Sequence, residues 1–135
     1  MTEPLTFIGI GSPFGADRLG WQVADLVAQW LAGRIARGEV AVIRLDRPGP
    51  ALLDHLRGRR HVVLIDAARL PPGSPPIVEL PWRDLARHAA PHSSHALGVA
   101  ETLALGEALG LLPERLTVWA VDLWQGEAAV RRVAP

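Results

Sequence analysis

Val62-Val63-Leu64-Ile65-Asp66-Ala67-Ala68 is the stretch that decides how this chain folds. A short, continuous apolar run of β-branched character suits a strand buried on both faces, as in a parallel sheet. Asp66 follows it directly, and a charge there is costly unless paired, hydrated or bound to a cation. One reading is an Asx turn that closes the strand. The other is a functional carboxylate at the carboxyl end of a central strand, where ligands of open α/β sheets bind.

Working outward, Leu5 to Gly11, Val40 to Leu45 and Leu116 to Val121 read as further buried strands. Helical patterns separate them. Leu19, Val23, Leu26, Val27, Trp30 and Leu31 repeat at three and four residues. Ala51 to Leu56 is a short helix that stops at Gly58, and Ala96 to Leu109 is a third, with Leu97, Ala100, Leu103 and Ala104 on its apolar face. Ile77 to Leu80 is fenced by prolines, which remove ladder donors, so it belongs at a sheet edge. The final segment, Gln125 to Val133, supplies only a brief helix. The expected fold is a three-layer αβα domain over residues 1–135, with an open, mostly parallel, twisted sheet of about five strands and helices on both faces.

Composition narrows the chemistry. The 135 residues contain no cysteine and no lysine, which excludes disulfides, thiolate metal sites, a cysteine nucleophile and a Schiff-base lysine. The net charge is zero, which argues against nucleic acid as the main partner. Arg57, Arg59 and Arg60 form the densest basic run and read as a solvated loop before a strand. The N-terminus carries no basic, apolar, small-residue leader pattern, and the apolar runs are too short to span a bilayer, so the expected location is cytoplasmic.

The strand ends hold the candidate site. Gly9-Ile10-Gly11-Ser12-Pro13-Phe14-Gly15-Ala16-Asp17 closes the first strand and leads into a helix. Its glycines suggest a dinucleotide loop, with Asp46 as the ribose-binding acid. The third glycine is one residue late, however, and Asp17 puts a carboxylate where a pyrophosphate would sit. Asp17 also suits a helix N-cap. In His92-Ser93-Ser94-His95, Ser93 or Ser94 can cap the next helix, leaving His95 in its first turn. The helix dipole there keeps an imidazole neutral and able to bind metal. His88 and His92 read as exposed loop residues or as substitute ligands. Asp17, Asp66 and His95 together form an oxygen–oxygen–nitrogen set suited to a borderline divalent ion with open positions.

Three segments resemble the hydrogenase maturation proteases, the endopeptidases that trim the C-terminal tail of the nickel–iron hydrogenase large subunit. They are Ile8-Gly9-Ile10-Gly11-Ser12-Pro13-Phe14-Gly15-Ala16-Asp17-Arg18-Leu19-Gly20, Leu64-Ile65-Asp66-Ala67, and Ser93-Ser94-His95-Ala96-Leu97-Gly98-Val99-Ala100-Glu101. The resemblance implies that Asp17, Asp66 and His95 bind metal, and that the metal is nickel already seated in the hydrogenase precursor, with cadmium or zinc as a substitute in vitro. It leaves the catalytic base open between Asp17 and Asp66. The first motif is one residue shorter than the family pattern before Asp17, Arg18 follows the acid, and Asp46-Arg47-Pro48-Gly49-Pro50 replaces a glycine-rich segment. A nucleotide- or dinucleotide-binding domain using Gly9, Gly11, Gly15 and Asp46, or a non-catalytic binding relative, are the competing readings.

Overall fold

The computed structural model describes residues 3–13, 18–88 and 94–134, the side chains of residues 94–97 excepted. In chain order the elements are β1 (Leu5–Gly11), α1 (Leu19–Trp30), α2 (Ala32–Ala36), β2 (Val40–Asp46), α3 (Leu52–Leu56), β3 (His61–Ala68), β4 (Ile77–Pro81), α4 (Ser94–Ala108), β5 (Arg115–Asp122) and α5 (Gly126–Val133). The strands form one sheet in the order β2-β1-β3-β5-β4. β1, β2, β3 and β5 run parallel, and β4 pairs antiparallel with β5 at the edge, where its prolines predicted it.

Pleating divides each strand between two cores. Phe7, Val63, Ile65 and Ala67 pack with Leu19, Val23, Ala24 and Val27 of α1 and with Ala129 of α5. Ile8, Ile10, Val62 and Leu64 pack with Leu52 and Leu56 of α3 and with Val99 and Leu103 of α4. This is the expected three-layer αβα arrangement. Each fully buried leucine or isoleucine contributes about 1.5–3 kcal/mol through apolar surface removed from water.

The stripe of α4 and the basic run differ from expectation, while the brief C-terminal helix is as expected. The inward stripe of α4 is Val99, Thr102, Leu103 and Gly106, whereas Ala104 is exposed and Ala100 half-buried. The helix is apolar almost all round, so its sequence gives little rotational signal. The C-terminal segment makes a 3₁₀ turn, Leu123–Gln125, and then the two-turn α5. That helix packs on α1, with Ala129 fully buried. Trp119 meets Phe7 edge-to-face at 5.4 Å, while Trp124 is 71% exposed. The basic run is more structural than its sequence suggests: Arg59 donates to the buried Thr6 hydroxyl and to the His55 carbonyl. α3 is preceded by a 3₁₀ turn, Gly49–Ala51, and the chain leaves it through Gly58 at φ 78°, a left-handed conformation suited to glycine.

The contact that sets α1 is unusually close. A Cβ at Gly20 would lie 2.2 Å from the Ile10 carbonyl oxygen and 2.9 Å from that of Ile65. A Cβ at Gly9 would lie 2.7 Å from Ala24 Cβ. Trp21 fastens the same end of the helix by donating its indole N–H to the Leu45 carbonyl at 3.0 Å, with Arg44 stacked 4.5 Å from its ring.

Gly20→Ala should therefore destabilise the protein by about 3 kcal/mol or more, because backbone carbonyls of two strands must give way. Gly98→Ala, where added bulk meets nothing within 4 Å, should stabilise it by up to about 1 kcal/mol through helix propensity. Urea denaturation of the two variants measures both signs.

Candidate active site

Because four strands run parallel, their carboxyl ends lie on one edge of the sheet. Gly11 stands beside Asp46 and Ala68 beside Asp122 in the ladder. This edge carries the acids, and they differ in setting. Asp46 is half-exposed and pairs with Arg47 at 3.1 Å. Asp66 and Asp122 are buried, at 1% and 3% exposure.

Asp66 lies opposite Ala120 of β5 in the centre of the sheet. It shares strand parity with Val62 and Leu64, so its carboxylate is directed to the side occupied by α3 and α4. Position 95 is the second residue of α4 and stands one turn before Val99, which packs into the same layer. The side chain of His95 lies outside the described residues. Asp17, Gly15 and His92 also lie outside them. Among the described residues no group of three His, Asp or Glu side chains is disposed to hold a metal ion.

Asp122 has a different task. Its Oδ1 accepts from the Trp124 backbone N–H at 3.2 Å, and its Oδ2 accepts from Gln125 Nε2 at 2.8 Å. The same Gln125 amide donates to the Ser74 carbonyl at 2.8 Å, and the Asp122 N–H donates to the Pro76 carbonyl at 2.9 Å. Asp122 thus caps the 3₁₀ turn after β5 and ties it to the loop before β4. Its placement directly after an apolar strand was the only sequence signal of this role.

One glycine offered for a dinucleotide loop, Gly9, has other work. The space beside Gly9 is filled by Ala24 and by the Gly20 carbonyl, so this glycine serves helix–sheet contact. His88 ends the 3₁₀ segment Trp82–His88, and its carbonyl accepts from the Arg69 N–H at 2.8 Å.

No protein-family model and no curated protein sequence matches the chain. Solved structures do. The hydrogenase maturating endopeptidase HybD from E. coli superposes with a TM-score of 0.70 at 19% identity, over 96% of this chain and 89% of its own. The chain has the fold of a hydrogenase maturation endopeptidase. The [NiFe] hydrogenase maturation protease HybD from Thermococcus kodakarensis gives a TM-score of 0.65 at 17% identity, covering 96% and 93%. An endopeptidase from Escherichia coli, solved in solution, gives 0.69 at 18% identity, covering 96% and 89%.

Asp122→Ala should cost about 1–2 kcal/mol, since it removes a buried cap and leaves two donors to find other partners. Chemical denaturation should show the loss, with Asp122→Asn recovering part of it.

Proposed function

We propose that this chain is an endopeptidase that removes the C-terminal extension of a nickel-loaded hydrogenase large-subunit precursor. The observation that carries this reading is the buried Asp66 at the carboxyl end of the central strand, facing the layer whose helix begins at Ser94-His95, in a chain that shares the endopeptidase fold over 96% of its length. Chain connectivity supports the third member. Gly20 packs against the Ile65 carbonyl, and Asp17 is only three residues earlier, a span of at most about 11 Å.

In this reading Asp17, Asp66 and His95 complete the coordination of nickel that the precursor brings. A cation held by two carboxylates and one imidazole, with open positions, polarises a peptide carbonyl or lowers the pKa of bound water. Burial of Asp66 limits water around its carboxylate and strengthens its attraction for a cation. In this reading either Asp17 or Asp66 takes the proton of the attacking water, and the choice between them is open. Sharing the ion between two proteins makes cleavage conditional on metal loading, because a precursor without nickel forgoes the metal–ligand free energy. The substrate is protein, the work is protein processing that activates another enzyme, and the cytoplasm, where such precursors mature, is the location we assign. Among the described residues no helix is long and apolar enough to cross a membrane.

A purified precursor-processing assay tests this. Wild type should trim the nickel-loaded precursor and leave the nickel-free one intact. Asp17→Ala, Asp66→Ala and His95→Ala should each slow trimming by about 100-fold or more. Trimming at the wild-type rate by both Asp17→Ala and His95→Ala would overturn the cluster. A thermal shift with a dinucleotide but none with nickel or cadmium would favour the nucleotide-binding reading instead.

A further inference from the structure

A cleft of about 710 Å³ opens beside this edge, beginning three residues after Asp66. Its walls come from three segments distant in sequence: Arg69, Pro71 and Pro72 after β3, Arg87 of the 3₁₀ segment, and Trp124 and Gln125 after β5. The lining is mainly apolar with a cationic rim. Among the described residues its one acid, Asp122, already spends both oxygens on Trp124 and Gln125. Arg69 is exposed, and no carboxylate pairs with it among the described residues. Its guanidinium lies 5.4 Å from the centre of the Trp124 ring. Among the described residues Arg87 pairs with Asp84 alone, at 3.8 Å, with 79% of its side chain exposed.

This arrangement is specific in chemical terms. Stacking on an aromatic ring engages the face of a guanidinium and leaves its in-plane N–H fork for a planar acceptor. A carboxylate fits that fork bidentately. The exposed indole and the prolines offer rigid apolar surface at small entropic cost, as recognition surfaces do. The excess positive charge selects against basic ligands.

We propose that the cleft seats an extended peptide segment through an acidic side chain, which Arg69 receives while Trp124 packs against the peptide's apolar atoms. This deepens the endopeptidase reading and rests on it for the identity of the peptide: the segment belongs to the protein substrate, near the bond that is cut. Arg69 and Trp124 are then specificity-determining residues, since they touch the substrate away from the reacting atoms.

Intrinsic tryptophan fluorescence of the full chain, titrated with three hexapeptides, tests it. One is blocked at both ends and carries two glutamates. The second is its glutamine counterpart, and the third is the glutamine peptide with a free C-terminal carboxylate. The glutamate peptide should bind at least about tenfold more tightly than the blocked glutamine peptide. Arg69→Gln should remove that preference, with calorimetry replacing fluorescence for Trp124→Ala, which should weaken binding of the same peptide. Asp66→Asn should leave peptide affinity unchanged. Equal affinity for the blocked peptides, or an unchanged preference in Arg69→Gln, would overturn the proposal, and so would selective binding of the free-terminus peptide alone. If the glutamate preference holds in wild type and Asp66→Asn while no nickel-loaded precursor is trimmed, the cleft stands and the endopeptidase reading falls. If trimming proceeds in Arg69→Gln with unchanged KM, the endopeptidase reading stands and the cleft falls.

Discussion

The carboxyl edge of the sheet depends on how closely α1 lies on it. Gly20 has two strand carbonyls where a Cβ would stand, and Gly9 faces Ala24 across a gap too small for another methyl group. Small residues on both surfaces draw the helix start down over β1 and β3. That fixes the start of α1 against β1 and against the strand that carries Asp66. A glycine-rich loop in a doubly wound sheet invites a phosphate-binding interpretation. Here Gly9 is explained by packing against Ala24 and the Gly20 carbonyl, and a buried carboxylate, Asp66, lies near the end of the neighbouring strand.

The two buried acids illustrate how position alone misleads. Asp66 and Asp122 both follow apolar runs, but Asp122 is the last residue of β5 whereas β3 runs two residues past Asp66. Asp122 is bound on each oxygen by donors of its own turn, which is the chemistry of a cap. Asp66 occupies the middle of the sheet, on the side of α4. Sequence position does not separate them; the hydrogen bonds of Asp122 to its own turn identify it as a cap.

The fold was largely legible because parallel strands buried on both faces leave continuous apolar runs, and prolines betray an edge strand. The stripe of α4 was not, because Ala104, Leu105, Ala108 and Leu109 make its outer face nearly as apolar as its inner one. The cap made by Asp122 depends on Gln125 and on a loop near Ser74, a pairing over 51 residues that no local pattern encodes. The cleft was hidden for the same reason, since its walls come together only in three dimensions. Of the candidate site, strand-end position pointed to Asp66, and capping chemistry put His95 in the first turn of a helix read from Ala96, which begins two residues earlier, at Ser94. The joint purpose of Asp17, Asp66 and His95 came from family resemblance, which strand-end physics alone does not supply.

The proposed function requires this chain to recognise nickel inside another protein. The most direct measurement is the affinity of the chain for one hydrogenase large-subunit precursor, prepared with and without nickel, at a temperature where trimming is slow. A ligand set shared across the interface predicts about 100-fold tighter binding to the loaded precursor, equivalent to about 2.7 kcal/mol, and loss of that difference in His95→Ala. Equal affinity of the wild-type chain for loaded and empty precursor would contradict it.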